Sequence, residues 1–180
     1  MYTTFINDNA KGNIREAGEN CLRSRSADFS FFMEFGTVES LEDLRDELRR
    51  GSHSFGEIRD ALRQYDEVGN FYDYGLAFDY VELGTFGDQT EDYFRFQLSW
   101  GGPSDEVRFY DDGTIEYVYL DWFSGVGFNV SREKGFQWLA NWFESCDSMN
   151  FERERENTGY YDKLAEMESE DDDESGEDNA

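Results

Sequence analysis

Asp92-Tyr93-Phe94-Arg95-Phe96-Gln97-Leu98-Ser99-Trp100 sets Phe94, Phe96, Leu98 and Trp100 on one side and Tyr93, Arg95, Gln97 and Ser99 on the other. Alternation of this kind marks a β-strand with one buried face. A turn follows, Gly101-Gly102-Pro103-Ser104-Asp105, with the chain's single proline. Next come two β-type runs, residues 106–110 and 114–122, flanking Asp111-Asp112-Gly113. Asp-Gly in that setting predicts a hairpin. Residues 74–83 read as a strand before this block, and Val126, Phe128 and Val130 suggest one after it. Together they predict an antiparallel meander.

Working outward, helical spacing takes over. Ser40 is a plausible N-cap, with Asp43 at the N3 position, and Leu41, Leu44 and Leu48 mark one face. Arg49 and Arg50 complement the helix dipole before Gly51 ends the helix. Ser54 and Glu57 open a second helix with the stripe Phe55, Ile58, Leu62 and Tyr65. Beyond the meander, Ser131 is the expected cap of a helix over 132–146. Its face of Phe136, Leu139, Ala140 and Phe143, widened by Trp138 and Trp142, should pack on the sheet. Phe29, Phe31, Met33 and Phe35 alternate with polar neighbours and predict a further strand, and residues 14–22 suggest a short helix.

The expected fold is therefore α+β: an antiparallel sheet of about four to five strands, an N-terminal helical pair, and an aromatic-rich helix packed on the sheet. Residues 1–150 are expected to form one acidic domain. Residues 151–168 would be a charged helical extension, and 169–180 a disordered acidic tail.

The charge is unusual. The 180 residues carry 42 acids against 16 bases, a net charge of −26. Residues 151–180 hold 13 acids and 3 bases, and residues 1–150 hold 29 and 13, so the body is acidic without its tail. Residues 66–121 hold 14 acids against Arg95 and Arg108 alone. Solubility needs a net charge of only about 2–8 in magnitude for a small domain. Direct contact with DNA, RNA or an anionic membrane is disfavoured, because like charges repel.

Several explanations of the excess are available. A solvated acidic surface without a role is the plainest. Adaptation to high salt fits the scarcity of lysine (Lys11, Lys134, Lys163), but not the 17 Phe, 11 Tyr and 4 Trp. Calcium binding fails at Asn7-Asp8-Asn9-Ala10-Lys11-Gly12, where Lys11 takes a ligand position and Gly18 stands where a bidentate Glu belongs. Mimicry of nucleic acid remains. Carboxylates two apart on a strand are separated by roughly 6.6 Å, and four apart on a helix by about 6 Å of rise. Both approach the spacing of neighbouring phosphates. An ordered array also loses less entropy on binding than a flexible one.

The candidate partner-binding residues are Asp73, Asp79, Glu82, Glu91, Asp92, Asp105, Glu106, Asp111, Asp112, Glu116 and Asp121, with Tyr93, Tyr110, Tyr117 and Tyr119 as candidate exposed anchors. In composition alone the chain resembles proteins that block restriction enzymes, CRISPR effectors or DNA-repair enzymes by mimicking DNA.

Enzyme signatures are missing from the sequence. It has no H-E-x-x-H, G-x-S-x-G, P-loop or CxxC, and Gly125-Val126-Gly127 is only a fragment of a dinucleotide motif. The single histidine, His53, is read as part of a helix–helix connection. Trp100, Trp122, Trp138 and Trp142 all fall on predicted apolar faces and are expected in the core. No apolar run approaches the ~20 residues of a membrane span. The first residues lack the pattern of a signal peptide, so Cys21 and Cys146 are read as reduced thiols of a cytosolic protein.

The expectation is a non-catalytic inhibitor without cofactor or metal, made by a phage or mobile element. It would occupy the nucleic-acid site of a basic host nuclease or CRISPR effector. An immunity protein or acidic chaperone for one basic partner, such as a toxin, is the alternative. A carbohydrate-binding or hydrolysing domain is a second alternative.

Overall fold

Alternating sequence becomes the two faces of an antiparallel sheet in the computed structural model, which describes residues 3–5, 13–36, 38–86, 89–122 and 124–165. The candidate calcium loop at residues 7–12, Asp88, and the tail from residue 166 onward lie outside the described residues. The strands are β1 (Thr3–Phe5), β2 (Ala77–Val81), β3 (Tyr93–Gln97), β4 (Ser104–Phe109), β5 (Ile115–Asp121) and β6 (Ser124–Asn129). They form one antiparallel sheet in the order β1-β6-β5-β4-β3-β2. The domain is α+β, as expected. The sheet has six strands because the three-residue β1, too short to show periodicity, pairs with β6.

The hairpin forms where Asp-Asp-Gly places it. Gly113 takes a positive φ of 83°, a region that Gly enters without steric cost. The Asp112 carboxylate accepts from the Thr114 backbone N–H at 2.7 Å, and the Tyr110 N–H donates to the Thr114 carbonyl at 2.9 Å.

The helices are α1 (Asn13–Phe35), α2 (Leu41–Arg50), α3 (Phe55–Val68), α4 (Lys134–Ser145) and α5 (Phe151–Thr158), with further helical residues at 160–165. Ser40 caps α2, and Ser54 with Glu57 makes a capping box on α3. Ser131 does not cap α4. Its hydroxyl accepts from the Ile115 backbone N–H at 2.8 Å instead and ties the helix entrance to β5.

The segment expected as a strand at 29–35 is the last part of α1. Ile14, Gly18, Leu22, Phe29 and Phe32 are buried at spacings of three, four and seven, which describe one helix face. Phe32 breaks the alternation. It stacks beside Trp138 of α4 and meets Phe71 and Tyr74 edge-on, and those contacts decide in favour of helix. Where α1 crosses α4, Gly135 lies against the Phe29 backbone, and a Cβ there would sit 3.0 Å from the Phe29 Cβ. The helices cover the sheet face that carries Phe94, Phe96, Val107, Phe109, Ile115, Tyr117, Tyr119, Val126 and Phe128.

Two tryptophans expected in the core are outside it: Trp100 is 78% and Trp122 83% exposed. Both follow the ends of strands, where the inward–outward alternation no longer applies. The Trp122 indole lies against Gly102 of the β3–β4 turn.

Candidate functional site

The opposite sheet face is lined by the other parity of each strand. Across it runs a row of directly opposed residues: Asp79 on β2, Arg95 on β3, Arg108 on β4, Glu116 on β5 and Asn129 on β6. Two arginines face each other in this row, an arrangement that repels unless something intervenes. Glu106, one pleat along β4, intervenes. It accepts from Arg108 Nε at 2.7 Å and lies 3.9 Å from Arg95 Nη1. Arg95 is also held by Asp79 through two hydrogen bonds, at 3.1 and 2.7 Å.

Arg95, Glu106, Arg108 and Glu116 floor a cleft of about 650 Å³, rimmed by Phe86, Glu91, Tyr110 and Asp112. All of its lining residues belong to strands and loops, none to a helix. Burial works against the Arg108 charge, but Glu106 and the ring of Tyr93, 4.8 Å below its guanidinium, outweigh it and hold the group protonated. Burial also pushes the Glu116 carboxyl above its ordinary range, and Arg108 offsets only part of this. Tyr93 is pushed up to about 12, first by burial. Its hydroxyl is buried without a hydrogen-bond partner among the described residues.

The candidate carboxylates separate into groups. Glu91, Glu106, Asp112 and Glu116 line the cleft, and Asp79 joins them through Arg95. Asp92 is 2% exposed. It is gripped by Arg155 of α5 at 2.8 and 2.9 Å and accepts from the Tyr80 hydroxyl at 2.6 Å. The same Arg155 reaches Asp111 at 2.6 Å. Asp105 is 4% exposed and faces the helices, where it binds Arg25, Tyr117 and Ser99. Glu106 is also 4% exposed. Asp92, Asp105 and Glu106 are thus inside the protein and already paired. Glu82 pairs with Lys163, Asp73 bonds with Asn70, and Asp121 ends β5. Of the candidate anchors, Tyr93, Tyr117 and Tyr119 are buried, and Tyr110 is half-buried in the cleft wall.

Three residues essential to this arrangement lie far away in sequence: Arg25, Arg155 and Lys163 are separated from their partners by 80, 63 and 81 positions. Local charge counting cannot pair them. Arg95 and Arg108 carried one available signal, since each sits at a polar position of a strand amid acids. Among the described residues, no group of three or more His, Cys, Asp or Glu side chains is placed to hold a metal ion, and no helix is long and apolar enough to cross a membrane. No protein family, curated protein or solved structure matches the chain.

Proposed function

We propose that this protein is a non-catalytic acidic inhibitor that occupies the nucleic-acid-binding surface of a basic partner, in the manner of anti-restriction or anti-CRISPR proteins of phages and mobile elements. The supporting observation is that acidic groups decorate an ordered, aromatic-cored body. Glu91 and Asp112 are exposed on the cleft rim and Glu116 lies half-buried within. Glu42 of α2, Asp66 and Glu67 of α3, and Asp73 add exposed acids elsewhere. Such a body offers fixed negative charge to a surface evolved for phosphates. Association would be fast and weakened by salt. The setting we infer is the cytoplasm of the host cell.

The cleft favours one further reading, an immunity protein or acidic chaperone dedicated to a single basic partner. That partner would then meet a compact hot spot rather than a distributed array.

Capture from host lysate at low salt, with identification of the bound protein, tests the proposal. Recovery of a DNA-binding protein that duplex DNA displaces supports it. Recovery of a partner with no nucleic-acid site would overturn it in favour of the immunity-type reading.

A further inference from the structure

The cleft holds more acid than its own arginines neutralise. Glu106 is engaged by Arg108 and Arg95, and Arg95 is taken again by Asp79. Glu91, Asp112 and Glu116 remain as the surplus. Glu116 is the one set into the floor. Its carboxylate lies over Gly127 of β6, in space that any side chain at 127 would fill. Its hydrogen bond from the Tyr110 hydroxyl is long, at 3.4 Å. Tyr110 in turn packs against Tyr93, with ring centroids 5.6 Å apart, and the buried Tyr93 hydroxyl has no hydrogen-bond partner among the described residues. Glu116 and Tyr110 therefore form one wall with an under-used acceptor, backed by Tyr93. Native proteins seldom leave such groups unpaired, and where they do, a functional role is among the explanations to test.

We propose that the cleft seats an arginine side chain of the basic partner, its guanidinium bonded to Glu116 and lying along the Tyr110 ring. This rests on the reading above that the partner is basic. The net charge of −26 repels anionic ligands and draws cations to the mouth. The volume falls within the roughly 300–1,000 Å³ typical of ligand pockets. Arginine fits better than lysine, because a planar guanidinium forks onto a carboxylate and stacks on aromatic rings, and a compact ammonium does neither. Burial has already raised the Glu116 carboxyl above its ordinary range, and an entering cation would relieve that strain.

Calorimetric titration of the full chain with hexaarginine and hexalysine peptides at low salt tests this. Hexaarginine should bind more tightly than hexalysine. Glu116→Gln should weaken hexaarginine about tenfold, equivalent to about 1.4 kcal/mol. Tyr110→Leu should weaken it severalfold, since it removes the half-exposed ring along which the guanidinium lies. Glu34→Gln, at an exposed site on α1, should leave the affinity unchanged. Equal losses in Glu116→Gln and Glu34→Gln, or equal affinities for the two peptides, would overturn the cleft as an arginine seat and leave the acidic-inhibitor reading standing. If the cleft behaves as expected but lysate capture recovers no nucleic-acid-binding protein, the inhibitor reading fails and the guanidinium site stands.

Discussion

Arg25 of α1 and Asp105 of β4 form a two-bonded ion pair, Nε to Oδ2 at 2.7 Å and Nη2 to Oδ1 at 3.1 Å, between the longest helix and the centre of the sheet. Tyr117 donates to Asp105 at 2.8 Å, and Tyr74 receives Arg25 Nη1 at 2.8 Å and donates to Asp28 at 2.6 Å. Removing one member of a buried pair strands the other charge, at a cost of about 3–5 kcal/mol. Asp105→Ala should lose that much in urea unfolding. A loss under 1 kcal/mol would show that Arg25 finds water or Asp28 instead.

Asp105 and Glu116 should respond to pH with opposite signs. Burial alone would raise Asp105, but the bonds from Arg25, Ser99 and Tyr117 hold its carboxyl below the ordinary range. Its contribution is therefore present above the unfolded value of about 3.9 and lost as pH falls through the folded one. Glu116 is raised by burial, so its penalty is absent below about pH 4.3 and sets in as pH rises through its folded value. Glu116→Gln should melt higher than the parent at pH 7, with the difference closing by pH 4. Equal melting temperatures at pH 7 would mean that the carboxylate is well solvated.

Arg155 is the clamp that holds α5 to the sheet. It bonds Asp92 and Asp111, and its guanidinium lies 5.2 Å from the Phe151 ring and 4.7 Å from the Tyr160 ring. Arg155→Ala leaves Asp92 buried with no cation, which should cost about 3 kcal/mol. Amide exchange in residues 151–165 should accelerate more than in β3–β5. Uniform acceleration across the protein would show that α5 belongs to the same cooperative unit as the sheet.

The α1–α4 crossing depends on Gly135. A Cβ there would meet Phe29 Cβ at 3.0 Å and its backbone carbon at 3.1 Å. Gly135→Val should destabilise by about 1–3 kcal/mol through overpacking. A neutral or stabilising outcome would mean that the helices separate freely at this point.

The strands and capped helices were legible because their signals are local. Tyr93–Gln97, the Asp-Asp-Gly turn, and the Ser40 and Ser54 caps each depend on neighbours within a few residues. The C-terminal part of α1 misled because Phe29, Phe31, Met33 and Phe35 satisfy a strand template, and only the burial of Phe32 against α4 resolves it. Trp100 and Trp122 misled because alternation was carried past the strand ends. At the site, sequence located the acidic segment but treated its carboxylates as equivalent. The fold separates them: Asp92 and Asp105 serve its interior, Glu106 is held by Arg95 and Arg108 in the cleft floor, and Glu91, Asp112 and Glu116 supply the cleft's surplus acid. That division depends on Arg25 and Arg155 arriving from the two ends of the described chain.

The most direct measurement is a competition titration, with the captured partner first saturated with fluorescent duplex DNA and then titrated with this protein. Displacement should go to completion, with a midpoint that rises in proportion to the duplex concentration and no ternary species. Displacement that stops short of completion, or a stable complex of protein, partner and DNA together, would contradict occupation of the nucleic-acid site.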